Sequence, residues 1–266
     1  MSKKAVGRCR IFGIQSKLVK CHIIPKALTK AEEEGQKNWQ AGEGTRPVRK
    51  STSWYDPHIV CRRGENLLEG IDDRAIKELR RNAMVWSGQQ NGRAPQITKL
   101  VDEHSLREIL GLDHKAIWMF FASIAWRASV SKISDLEFFK LESEIEDALR
   151  ISILEDQPFF ERFPCEFSQM TGRAASHNQT PTLDRKMIPN LNDGRDTDVE
   201  FARFFVDGLV CHFRLNSLPQ GEFAGNHLFL GGSEKLICYA RPFEGSAQEE
   251  RLYAAIRELN DFQSGL

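Results

Sequence analysis

The chain has 266 residues, 41% of them hydrophobic, and its 37 Lys+Arg are balanced by 37 Asp+Glu. That length suffices for a real core, in one large domain or two modest ones, and six cysteines without regular spacing argue against a disulfide framework and for a reducing cytoplasm. The neutral total would by itself argue against a nucleic-acid binder, but residues 1–100 hold 20 Lys+Arg against 10 Asp+Glu and residues 101–266 hold 17 against 27, so the first part points to a polyanion partner.

Met1-Ser2-Lys3-Lys4 carries no apolar run of signal-peptide length, and the most apolar stretch, Ala116 to Trp126, falls short of the roughly 20 residues a membrane span needs. Eight basic residues and no acidic ones occupy positions 1–31, readable as a solvated arm or as a phosphate-facing segment. Residues 17–24, rich in Leu, Val and Ile, predict a short strand that ends at Pro25. Thr29-Lys30-Ala31-Glu32 has the capping-box pattern and predicts a brief helix, and the Gly-, Pro- and Ser-containing residues 35–54 predict a loop in which Arg46, Arg49 and Lys50 are candidate phosphate contacts. Trp54 to Val60 predicts a second strand, broken at Pro57. From Glu65 the apolar residues Leu68, Ile71, Ala75, Ile76 and Leu79 give one face of a helix, with Arg74, Lys77 and Arg81 on another, either an ordinary solvated face or a phosphate-facing one.

Ser87 to Pro95 marks a domain boundary, so residues 1–86 form a small basic module and residues 96–266 a second, α+β domain. The second domain is expected to hold helices over 104–154, an antiparallel sheet over 201–241 and a final helix over 247–261. Within it Ser105-Leu106-Arg107-Glu108 reads as a capping box, residues 114–129 as a helix apolar on nearly all sides, and Ser134-Asp135-Leu136-Glu137 as the cap of a helix running to Leu154. Polar residues 164–198 read as a long loop. Strands are expected at 203–207, 209–215, 227–230 and 235–240, and Ser246-Ala247-Gln248-Glu249 opens the last helix.

Phosphodiester hydrolysis needs a base, a cation and a grip on the backbone. His22 suits the base, Glu65 on the first turn of its helix suits a hard cation, and Asp56 suits an acceptor that fixes the imidazole tautomer; a histidine beside isoleucines also suits a structural role. His104, His114, His177, His212 and His227 show no ligand spacing, and the neighbours Cys211 and His212 point to opposite faces of their strand. Arg127 is read as the partner of a buried carboxylate or, alternatively, as a second anion site.

Cys9-x-x-Phe12-Gly13, Leu18-Val19-Lys20-Cys21-His22-Ile23-Ile24-Pro25 and Asp56-Pro57-His58-Ile59-Val60-Cys61-x-x-Gly64-Glu65 resemble the HNH, or ββα-metal, endonuclease motif over about residues 8–80. The resemblance implies an N-terminal ββα-metal module with His22 as general base, Asp56 as the ordering residue and Glu65 on the metal, with Cys21 at a position where the family usually has another metal ligand or a small polar residue. It implies a divalent ion, Mg²⁺ or Mn²⁺ or a softer one, a nucleic-acid partner with DNA favoured over RNA, and a bacterial defence or mobile-element setting. Where relatives hold zinc with two Cys-x-x-Cys pairs, Phe12 and Gly64 stand in for the second cysteines, so the remnant positions Cys9 and Cys61 are expected to be empty of structural zinc, either with Phe12 as an apolar plug or with Cys21 or His58 recruited. A metal-dependent endonuclease is the first expectation and a catalytically silent nucleic-acid-binding or protein-interaction module the alternative; a protein partner or a homodimer would use the C-terminal domain.

Overall fold

The computed structural model describes residues 6–29, 37–42, 45–89, 97–99, 105–172, 177–189 and 196–264. Val6–Arg8 (β1) and Gln15–His22 (β2) pair antiparallel across a turn closed by Gly13 N–H to Cys9 O at 2.7 Å. Asn38–Gly42 (β3) and Thr45–Lys50 (β4) form a hairpin, and Tyr55–Cys61 (β5) returns to pair with β2, giving the order β1-β2-β5. The chain then turns directly into a helix, Arg62–Arg81 (α1), which buries Leu68, Ile71, Ala75, Ile76 and Leu79 against the strands.

After a single 3-10 turn at Trp86–Gly88 come Thr98–Lys99 (β6), Ser105–Leu110 (β7) and the helices His114–Val130 (α2) and Ser143–Glu155 (α3). Cys165–Thr171 (β8), His177–Gln179 (β9), Thr182–Pro189 (β10), Asp196–Val206 (β11), Leu209–Arg214 (β12) and Lys235–Pro242 (β13) precede the last helix, Ala247–Ser264 (α4). Seven strands make one sheet, β10-β11-β12-β8-β13-β7-β6, antiparallel except where β13 runs parallel to β8. The hairpin β3–β4 recruits β9 in parallel as a separate three-stranded sheet.

The architecture is α+β, and α2 is its centre. Trp118, Phe120, Phe121, Ile124 and Trp126 are fully buried, because α2 lies between the sheet, α1 and α3 and so needs no polar face. Phe121 meets Phe167 and Phe204 from the sheet at ring separations of 5.5 and 5.6 Å, and Trp118 meets Phe213 at 5.6 Å. Each such side chain contributes about 1.5–3 kcal/mol through burial, more than the roughly 0–1 kcal/mol of an exposed ion pair, so these aromatics fix the layer order. The core is continuous from Cys9 and Ile11 through α1 and α2 to Leu236 and Cys238. The parts on either side of the expected boundary are also pinned by Trp86, whose N–H donates to Asp207 O at 2.8 Å and whose indole donates to Met170 O at 3.2 Å. No helix among the described residues is long and apolar enough to cross a membrane.

Several local expectations give way to long-range pairing. Ser105–Glu108 is strand β7, not a helix start, because Arg107 and Ile109 alternate inward and the segment pairs with β13. Residues 134–142 hold only a 3-10 turn, and the helix expected from Ser134 begins at Ser143. The predicted loop 35–54 contains the β3–β4 hairpin, in which Asn38 and Gln40 are buried and bonded to Thr29 O and Thr52 O. The predicted loop 164–198 contains β8, β9, β10 and the start of β11, residues 227–230 are turns, and the sheet expected over 201–241 starts at Thr98 and ends at Pro242. β5 runs unbroken through Pro57. The helix expected from Thr29, and His104, fall on residues outside those described. At α4 half of the expected capping box forms: Ser246 Oγ accepts from Glu249 N–H at 3.2 Å, but the Glu249 carboxylate accepts from Gly245 N–H at 2.7 Å, because Ser246 N–H already donates to Phe243 O at 3.1 Å.

Gly208, at φ +84° in the β11–β12 turn, sits against the Trp86 indole, and a Cβ there would collide with the ring. Gly208→Ala is expected to cost about 2–4 kcal/mol from left-handed strain plus overpacking, measured as a fall in the denaturant midpoint at constant slope.

Candidate functional site

Because successive side chains of a strand alternate, Cys21 and His22 leave β2 in opposite directions. Cys21 is fully buried toward α1, where its thiol donates to His22 O at 3.7 Å and lies against the Glu65 carboxylate. His22 is half-buried on the other side, edge-on to Tyr55 at 6.2 Å, with Lys20 Nζ 3.6 Å from the centre of the same Tyr55 ring. Its Nε2 is buried without a hydrogen-bond partner. Burial, then Lys20, Arg127 and Lys26, hold His22 below the usual histidine range, so it is neutral at pH 7.

Beside Cys21 and Glu65 stands a buried ion pair. Arg127, 2% exposed on α2, meets Asp72 of α1 through two parallel contacts of 2.8 and 2.9 Å, and also donates to His22 O at 2.9 Å and to Ser123 Oγ at 3.0 Å. Burial works against the guanidinium charge, but Asp72, by charge and by hydrogen bond, with help from Cys21 and Glu65, more than offsets it. Burial pushes the Asp72 carboxyl up and Arg127 opposes that; the fork geometry is that of an ionised pair. This is the carboxylate partner expected for Arg127.

Asp56 has a different task from orienting His22. One carboxylate oxygen accepts from His58 N–H at 2.7 Å and the other from Ser131 Oγ at 2.8 Å and Lys132 N–H at 3.0 Å, so Asp56 ties β5 to the end of α2. Among the described residues no hydrogen bond or ion pair joins His22 to Asp56 or to Glu65.

The chemistry of the donors does not suit a hard divalent ion. Burial pushes the Cys21 thiol well up, leaving it protonated, and burial likewise raises Glu65, one of whose oxygens, Oε2, has no partner. A cation, Arg127, already acts by charge on both. Among the described residues no group of three or more His, Cys, Asp and Glu side chains is placed to hold a metal. At the remnant zinc positions Cys61 N–H donates to Cys9 Sγ at 3.4 Å. Although burial opposes it, hydrogen bonds from Gly64 N–H, Cys9 and Arg63 N–H draw the Cys61 thiol down. Two thiols do not make a four-coordinate site. The apolar filler beside Gly64 is Ile11, fully buried, whose Cγ2 would be 3.0 Å from a Cβ at position 64; Phe12, expected as the plug, is half-buried beneath the Arg63 guanidinium at 4.4 Å.

The basic residues read as phosphate contacts divide. Arg74 pairs with Asp156 at 3.2 Å, and Arg81 with Glu78 at 2.5 Å and with Gly111 O at 2.8 Å. Lys77 and Lys50 are exposed, Arg49 lies over the Trp39 ring at 5.2 Å, and the Arg46 side chain is outside those described. Sequence reasoning missed a second group, the charged residues of the sheet's outer face around Arg203. The signal available was an arginine inside the apolar run Phe201-Ala202-Arg203-Phe204-Phe205.

No family model, no curated protein and no solved structure matches the chain.

Two variants probe the cluster. Arg127→Met strands a buried carboxylate and is expected to destabilise by about 3–5 kcal/mol, whereas Asp72→Leu combined with Arg127→Met should recover most of that loss in chemical denaturation. For Glu65, the folded pKa lies above the unfolded one, so its charged form is penalised above the folded value and the penalty disappears below the unfolded value. Glu65→Gln should therefore raise the melting temperature at neutral pH, and the gain should shrink as pH falls through that window.

Proposed function

We propose that this chain is a nucleic-acid-binding module of HNH, or ββα-metal, descent whose hydrolytic centre has become an internal polar cluster. One observation carries the reading: the buried Arg127 cation, paired with Asp72, acts by charge on both Cys21 and Glu65, the positions that the resemblance assigns to the metal. Metal-assisted hydrolysis relies on anionic oxygens gathered around a hard cation. Here the thiol is protonated, the Glu65 carboxyl is raised, and Asp72 is committed to the guanidinium.

The β1-β2-β5 strands followed by α1 support the reading, and the outer side of β2 offers a surface for phosphates. Lys20, Lys26 and Tyr55 are exposed around a neutral His22, a combination of cations and an aromatic ring that suits single-stranded or distorted nucleic acid. The endonuclease reading keeps one supporting observation. His22 Nε2 and Glu65 Oε2 are buried polar atoms without partners, the kind of atom a bound group would satisfy.

Incubating supercoiled plasmid and short DNA and RNA with the protein and Mg²⁺, Mn²⁺ or Zn²⁺ separates the two. The expected outcome is binding without cleavage, weakened by salt, with Lys20→Ala plus Lys26→Ala lowering the salt slope by about one unit per phosphate contact removed. Cation-dependent cleavage that both His22→Ala and Glu65→Gln abolish, with the fold intact by circular dichroism, would restore the endonuclease reading.

A further inference from the structure

The sheet face turned away from α2 is only partly covered. Leu252 of α4, Trp86 and Phe243 pack over Met170, Phe205 and Val210 at one end. Beyond them the face opens into a cleft of about 520 Å³, continued by a hollow of about 230 Å³ that shares Ser168, Lys186, Phe201, His212 and Arg241 with it. The larger part alone falls in the range of small-molecule sites, about 300–1,000 Å³. Strand register sets the floor: Arg203 lies opposite His212, His212 opposite Glu166, Phe201 opposite Arg214, and Ser168 opposite Tyr239.

Arg203 is the unusual group. It is 8% exposed, and among the described residues its guanidinium donates only to amide oxygens, Gln248 Oε1 at 2.7 Å and Gln179 Oε1 at 3.3 Å. No carboxylate pairs with it among the described residues; Asp184, which acts on it by charge, already pairs with Arg251 at 3.6 Å. Burial, with Arg251, lowers Arg203 to about 10, which leaves it charged at neutral pH. A buried cation lacking an anion is the arrangement proteins otherwise avoid.

The rest of the lining has the same sign. Arg185 is occupied by Asp198 and Glu200. Apart from it, five cations, Lys186, Arg203, Arg214, Arg241 and Arg251, face three carboxylates, Asp184, Glu166 and Glu244, a surplus of two. Glu166 is engaged by His212 and Arg214, each at 3.7 Å, and at the start of α4 Ser246 Oγ accepts from Glu249 N–H at 3.2 Å. A surplus of two matches the charge of a phosphate monoester, about −1.5 to −2, better than that of a single carboxylate.

We propose that this cleft binds a phosphate-bearing small molecule of about mononucleotide size, its phosphate held among Arg203, Arg241 and Arg251 and its organic part laid on Phe201, His212 and Tyr239. The site is separate from the Cys21–Glu65 cluster and does not depend on how that cluster is read.

The test is calorimetric titration and thermal shift of the full chain with inorganic phosphate, pyrophosphate, AMP and ATP, using adenosine as the phosphate-free control. Pyrophosphate or a nucleotide should bind and raise the melting temperature while adenosine does not. Arg241→Ala should weaken binding about tenfold or more, the loss of one charge-assisted contact. Arg203→Met should abolish binding and raise the melting temperature of the free protein, since it removes an uncompensated buried charge. If Arg203→Met fails to fold, the exposed pair Lys186→Ala and Arg241→Ala decides. Absence of heat and of thermal shift with every phosphate compound at millimolar concentration would overturn the proposal. So would equal binding by wild type and the variants, or binding of oligonucleotides alone.

Discussion

The pair formed by Asp72 and Arg127 sets the terms for the first half of the molecule. Burying two charges costs several kcal/mol per ion, and the attraction between them repays this only when every remaining donor also finds an acceptor. Here the requirement is met: beyond Asp72, the guanidinium reaches Ser123 O, Ser123 Oγ and the carbonyl of His22. A single side chain therefore links α2, α1 and the end of β2. After Lys115 it is the sole charged residue of α2, whose other surfaces are apolar because they face α1, α3 and the sheet. Had α2 been an ordinary amphipathic helix, Arg127 would have pointed to solvent and the strand carrying His22 would lack this anchor.

That anchoring reaches into the chemistry. A guanidinium and a metal ion answer the same electrostatic need, since both neutralise carboxylates and favour thiolates, but a guanidinium offers no open coordination position and cannot activate water. With Arg127 in place, Glu65 faces a cation that is already shared with Asp72, and burial leaves both Glu65 and Cys21 biased toward their neutral forms. On the reading proposed above, the scaffold outlived the hydrolytic centre because the arginine made the metal unnecessary for stability. Asp56 fits the same account. Its carboxylate secures Ser131 and Lys132 at the end of α2, so it too serves the junction of β5 with α2.

What could be read from residues alone follows how local each cause is. The α2 core, the α1 stripe and the Ser246 cap depend on neighbours within a few positions, and the pairing of Arg127 with a carboxylate follows from placing a charge in an apolar helix. The partner's identity, Asp72, is 55 residues away and leaves no mark in spacing. Asp56 reads from the sequence as an acceptor for His22, and its partner Ser131, 75 residues on, leaves no mark there. Ser105–Glu108 shows how a four-residue cap pattern loses to a strand neighbour more than a hundred residues later. The segment 164–198 misled for a more instructive reason. Its strands alternate Glu166, Ser168, Asp184 and Lys186 toward an open cleft, so a polar composition that suggests a loop is in fact the lining of a sheet face.

The two buried arginines make the contrast sharper. Arg127 and Arg203 are both withdrawn from water, at 2% and 8% exposure. One has a carboxylate in fork geometry and neutral acceptors for its other nitrogens; the other has only the amide oxygens of Gln179 and Gln248. Desolvation penalises both, and an amide oxygen recovers hydrogen bonding without supplying negative charge. Arg127 is thus complete within the chain, and its surroundings are closed. Arg203 is incomplete in charge, and its surroundings open onto a cleft lined with further cations. Like charges gathered around a hollow repel one another, so the arrangement gains stability when an anion enters, and the fold carries that unmet charge on the sheet face that α4 leaves uncovered.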